Sequence, residues 1–187
     1  LNIDWGNYVF TPEIPPDDAA GATTPLPIIQ PGSFSSAGVV VTNTTKSKTF
    51  MESVYDGVDQ DSFGGVAFTY DNPATTTKET INLSALFPGG NLVFALDTNP
   101  PAGGTGFSPL ATIGFEVKDS LGGVFKGMIT GLENTGHKYK VALSQLDELL
   151  DLTKITELVF VISGDGKHRL NIDWGNYVFT PEIPPDD

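Results

Sequence analysis

Apolar residues recur at every second position along most of this chain, and that period restricts the fold more than any other feature. In "NLVFALDT", Leu92, Phe94 and Leu96 share one side. In "ATIGFEVKDS", Ile113, Phe115 and Val117 do so while Glu116 and Lys118 point away. "HKYKVAL" sets Tyr139, Val141 and Leu143 against Lys138 and Lys140. A side-chain period of two belongs to extended backbone with one buried face. "VVVTN", "KTFMESVYD", "GGVAFTYD", "ETINLS" and "VFKGMITGL" read as further short strands, and "ELVFVIS", apolar on both faces, as a central one. The 21 Gly and 14 Pro supply the turns between them. The expectation is an all-β jelly-roll sandwich of two antiparallel sheets with at most one short helix. That helix falls in "SQLDELLDL", where Leu146, Leu149 and Leu150 have helical spacing and Ser144 is a fair N-cap.

A second feature is a duplication. "LNIDWGNYVFTPEIPPDD" stands at residues 1–18 and again at 170–187, 169 residues on, without a mismatch. That spacing is domain-sized, far longer than a solenoid repeat, and reads as a window on a tandem array; a chain engineered with overlapping ends reads the same. Each copy is a strand followed by a proline-rich tail. Leu170, Ile172 and Trp174 alternate in one phase, Tyr177 and Phe179 in the other. A one-residue slip at Gly175–Asn176 keeps all five on the core side, which predicts a β-bulge. Residues 11–37, with their prolines, read as an inter-domain linker, residues 38–180 as the domain, and residues 181–187 as the start of the next linker. The C-terminal copy is expected to close its own domain. The N-terminal copy, residues 1–18, then belongs to a preceding unit or is donated to a neighbour's sheet, burying Leu1, Ile3, Trp5, Tyr8 and Phe10. Assembly would thus run head to tail through identical strands.

Charge and missing motifs narrow the function. The net charge of −13 argues against a nucleic-acid partner, and no apolar run is long enough to span a membrane. There is no Cys, hence no disulfide or thiolate metal site. G-x-S-x-G, H-E-x-x-H and a phosphate-binding loop are missing, and the two His, His137 and His168, stand in polar settings and read as surface residues. The chain reads as non-enzymatic. "DGVDQD" places Asp56, Asp59 and Asp61 in one loop with the wrong spacing for an EF-hand; they read either as oxygen ligands for a hard cation or as an ordinary solvated turn.

"TINLSALF", "GGNLVFALDT", "IGFEVKDSLGGVFKGMITGL", "YKVALSQL", "LTKITELVFVISG" and "HRLNIDWGNYVFTP" follow one another in an order that resembles the galactose-binding-like β-jelly rolls used as carbohydrate-binding modules. The family's penultimate I-x-x-I/L-x-F strand matches Ile155, Leu158 and Phe160, and its final L-x-I-D strand matches Leu170, Ile172 and Asp173. The resemblance covers roughly residues 39–180. It implies a structural Ca²⁺ with Asp173 as a ligand and Glu52 as its partner. It also implies sugar binding, which needs exposed aromatic faces beside polar groups. Tyr55, Phe63, Tyr70, Phe107 and Trp174 are the candidates, with Phe63 and Phe107 in glycine-rich loops; no pair of them stands out as a platform.

Two functions follow as expectations. The first is a structural or adhesive repeat of a long extracellular or cell-surface protein, partnered by copies of itself. The alternative is a glycan-binding module of a secreted glycan-active enzyme.

Overall fold

The computed structural model describes residues 12–17, 30–45, 50–70, 74–77, 79–98, 106–132 and 136–181, with backbone alone at 30, 50 and 174–181. Eleven strands follow in chain order: β1 (Glu13–Ile14), β2 (Gln30–Ser35), β3 (Val40–Thr45), β4 (Phe50–Gly57), β5 (Phe63–Thr69), β6 (Gly90–Asp97), β7 (Ile113–Asp119), β8 (Val124–Ile129), β9 (His137–Ala142), β10 (Ile155–Ser163) and β11 (Gly166–Pro181). They form a six-stranded sheet in the order β1-β8-β7-β10-β5-β2 and a five-stranded sheet in the order β3-β4-β11-β6-β9. Neighbours are antiparallel except β1, which lies parallel to β8. The chain is an all-β jelly-roll sandwich.

Alternation sorts each strand between the core and the outer face. Phe94 of β6, Phe115 of β7 and Phe160 of β10 meet between the sheets, with ring centroids 4.9 to 5.3 Å apart. Tyr139 stacks on Phe94 at 5.8 Å, and Phe68 meets Phe160 edge-on at 6.0 Å. All five are fully buried, each worth about 1.5–3 kcal/mol of transfer from water. The expected central strand, β10, lies between β7 and β5.

The helical segment is shorter than its leucine spacing suggests. One turn, α1 (Leu143–Asp147), buries Leu143 and Leu146, with Leu150 buried just beyond, while Leu149 is left exposed. Its N-cap is Ala142 without a side-chain bond, because Ser144 already lies inside the turn.

Three expectations change. First, the proline-rich stretch is not all linker: β1 and β2 both lie in residues 11–37 and pair in the six-stranded sheet. Second, the irregularity of β11 is larger than a single-residue slip. Asp173 pairs with Ala95 and Val178 with Val93, so five steps of β11 face two of β6, an excess of three. Three is odd, so the phase of pairing still reverses. Third, His168 is buried, with Nδ1 3.2 Å from the Ser108 carbonyl and Nε2 3.0 Å from that of Asp165; it lies on the inward phase of β11 beside Tyr55.

Asp119 ties the β7–β8 turn to the segment after α1. Its Oδ1 accepts N–H bonds from Leu121 and Gly123 at 2.9 and 2.7 Å, and its Oδ2 one from Asp151 at 2.8 Å. Burial alone raises its pKa, but these backbone donors outweigh burial and hold the carboxyl below its ordinary range.

Candidate functional site

The outer face of the six-stranded sheet carries a groove, and pair register shows how it is built. One row across the strands reads Phe34, Gly65, Val161, Gly114, Met128, Glu13. The next reads Gly32, Ala67, Val159, Glu116, Lys126. Glycines at 65 and 114 leave the first row low between Phe34 and Met128. A Cβ at 65 would lie 1.9 Å from the Phe160 carbonyl oxygen and 3.3 Å from the Phe34 ring, so the ring covers a position that only Gly can hold. From Phe34 to Met128 the row crosses five strands, about 19 Å at the usual spacing. Two depressions, about 350 and 280 Å³, lie along it and share Glu116 and Val161.

Phe63, at the start of β5, stands at one side of this groove, 47% exposed. Val159 points outward yet is only 2% exposed, sunk beneath the side chains around it. On the other side runs an ion network. Lys118 Nζ lies 2.8 Å from Glu157 Oε2 and 3.7 Å from Glu116 Oε2, and Lys126 Nζ lies 3.4 Å from Glu116 Oε1. Burial disfavours the Lys118 charge, but the bond to Glu157 and the charges of Glu157 and Glu116 outweigh it and raise its pKa. Two cations face two anions, so this wall carries both donors and acceptors with no net charge.

The opposite face has a different depression, about 310 Å³, lined by Ala95, Leu96, Asp97, Gly136, His137, Lys138, Asn171 and Asp173. Asn171 is 4% exposed and donates through Nδ2 to Asp97 Oδ1 at 2.6 Å. Among the described residues no Phe, Tyr or Trp side chain lines it.

Of the aromatic candidates with described side chains, only Phe63 joins the groove. Tyr70 and Tyr55 are core residues, a correction for both: their strands carry them inward. Burial pushes the Tyr70 phenol well above its ordinary pKa, and its hydroxyl has no hydrogen-bond partner among the described residues. Phe107 lies away from both depressions, its ring 5.3 Å from Lys167 Nζ. The Trp174, Tyr177 and Phe179 side chains lie outside the described residues, as do Leu1, Ile3, Trp5, Tyr8 and Phe10. Leu170 and Ile172 are fully buried in the five-stranded sheet.

The proposed calcium ligands do not form a cage. Glu52 is ion-paired with Arg169. Asp59 Oδ1 accepts bonds from Asp61 N and Ser62 Oγ at 3.1 and 2.9 Å, as in a self-contained acidic turn. Asp56 ends β4 opposite Lys167, and Asp173 lies beyond Asn171 on β11. Among the described residues no three His, Cys, Asp or Glu side chains are grouped to hold a metal ion.

Phe34, Glu116, Lys118, Lys126 and Glu157 were missed as site residues. The outward phase of Glu116 and Lys118 was visible in the alternation; that β10 and β8 flank them was not.

Solved structures with this architecture share it at low identity. The family 11 carbohydrate-binding module of a cellulosomal cellulase of Clostridium thermocellum superposes with a TM-score of 0.55 at 19% identity, over 90% of this chain and 95% of that one. Its fold is that of these carbohydrate-binding modules. The same Clostridium thermocellum module in complex with a β-1,3-1,4-mixed-linked tetrasaccharide gives 0.54 at 17% identity, over 89% and 95%. An exo-β-agarase gives 0.55 at 14%, over 80% of this chain but 24% of the enzyme. No family model and no curated protein matches the sequence. Among the described residues no helix is long and apolar enough to cross a membrane.

Proposed function

We propose that this domain is a non-catalytic module that binds a neutral polysaccharide chain along the groove of the six-stranded sheet. The observation that carries the reading is the exposed Phe63 and half-buried Phe34 facing the Lys118–Glu157–Glu116–Lys126 network across a floor of Ala67, Val159 and Val161. Pyranose rings present C–H faces to aromatic side chains and hydroxyls at their edges, so they need an apolar surface beside fixed donors and acceptors. The mutual bonds of the network hold those groups in place before a ligand arrives, which lowers the entropy cost of binding. A floor about 19 Å long suits several linked rings rather than one. A glycan-binding role fits an extracellular setting; a module of the same fold belongs to a cellulosomal cellulase.

Native gels containing soluble mixed-linkage β-glucan, other neutral glucans or neutral galactans test this. Migration should be retarded in at least one, and Phe63→Ala with Phe34→Ala should abolish the retardation. Unretarded migration in all of them, or retardation indifferent to the double substitution, overturns the reading.

A further inference from the structure

The described residues of the two copies come from different parts of the duplicated segment and hold different places in the fold. From the C-terminal copy, residues 170–181 form most of β11, between β4 and β6. From the N-terminal copy, residues 12–17 strap the edge where the two sheets meet. Met128 N donates to the Pro12 carbonyl at 2.9 Å, and Thr130 N to the Ile14 carbonyl at 3.1 Å. Pro16 bridges to Tyr139 of β9, Asp17 N donates to the Lys138 carbonyl at 2.7 Å, and the Asp17 carboxylate meets Lys140 at 3.1 Å. The seat is shaped for these residues. A Cβ at Gly127 would lie 2.6 Å from Ile14 Cδ1, and one at Gly131 would lie 3.0 Å from the Pro16 ring; Ile14 is buried.

Pro12 and Pro181 are the same residue of the duplicated segment. In the fold they occupy different places: Pro181 pairs with Gly90 in the five-stranded sheet, and Pro12 lies on β8 at the edge of the six-stranded one. A single copy therefore cannot fill both seats of one domain. It can fill the β11 slot of one domain and the β8–β9 seat of another. We infer that the eighteen-residue segment is a two-part head-to-tail joint, whose first twelve residues close the sheet of one copy of this chain while its last six dock on the β8–β9 edge of a second copy. The occupant follows from the sequence: Glu182, Ile183, Pro185 and Asp186 repeat Glu13, Ile14, Pro16 and Asp17, so the seat that holds one set accepts the other. With both copies present, each seat of a chain is filled from within, and the chain is monomeric. With the N-terminal copy removed, the β8–β9 seat opens while the matching tail remains.

The test is the molar mass in solution, by light scattering over a concentration series, of the full chain and of the chain lacking residues 1–18. The full chain should stay monomeric. The shortened chain should rise in mass with concentration through dimer and beyond, and Ile183→Asp within it, or an excess of the peptide LNIDWGNYVFTPEIPPDD, should return it to monomer. A shortened chain that stays monomeric throughout, or whose association ignores both Ile183→Asp and the peptide, overturns the joint. If the shortened chain does not fold, the full chain carrying Ile14→Asp is measured instead. Association abolished by adding Ile183→Asp supports the joint, and a monomer, or association indifferent to Ile183→Asp, overturns it.

Discussion

At the scale of single residues, exposure separates binding from stability. Phe63 is 47% exposed, so Phe63→Ala should leave the melting temperature nearly unchanged while losing about 1 kcal/mol of glycan affinity, the typical worth of an aromatic contact; calorimetric titration with the best polysaccharide measures it. Tyr70 is the reverse case. Its buried hydroxyl has no partner among the described residues, and a buried unsatisfied polar group costs about 1–3 kcal/mol. Tyr70→Phe should therefore be neutral or raise stability by up to about 1 kcal/mol in urea titration; a clear loss would show that the hydroxyl is satisfied. Asp119 governs acid stability. Its folded pKa is lowered and its ordinary value is 3.8, so its contribution is complete above that value and lost as pH falls through the lower, folded one. The melting temperature should drop across that acid window, and Asp119→Asn should lower it at neutral pH and flatten this drop.

At the scale of elements, the two strands that draw on the duplicated segment differ. β11 is central to its sheet and buries Leu170 and Ile172, whereas β1 is a two-residue edge strand anchored by one apolar side chain. Ile14→Ala should cost about 2–4 kcal/mol, in the range for truncating a buried aliphatic side chain, with unfolding still a single transition by circular dichroism. The strap was hidden in the sequence because prolines dominate it. Proline removes a donor but not an acceptor, and the carbonyl of Pro12 is what Met128 uses. The same composition concealed Phe34 on β2.

At the scale of the whole molecule, charge selects the ligand. The chain carries −13 overall while the groove wall is balanced, so anionic glycans meet repulsion at long range and gain nothing nearby. Affinity for a neutral polysaccharide should therefore be nearly the same at low and high salt, whereas polyuronates and sulfated galactans should fail to retard the protein in native gels. A steep salt dependence of neutral-glycan binding would place the site elsewhere.

What the sequence determined by itself was the all-β class, the inward and outward phase of β6, β7 and β9, the centrality of β10 and the reversal of phase within the closing strand. These are local properties, since side chains alternate at every residue of an extended backbone and the hydrophobic effect chooses which side is buried. What only the tertiary structure decided was adjacency. Glu116 and Lys118 point outward by period alone, but they form a network with Glu157 and Lys126 because β10 and β8 flank β7. Tyr70 and His168 are buried because strands from elsewhere in the chain cover them. The identical segments at residues 1–18 and 170–187 are the sharpest case. Equal sequence means equal local preference, yet Pro181 pairs with Gly90 in the five-stranded sheet while the matching Pro12 lies against β8, because which seat is reachable depends on the neighbours the folded chain brings there.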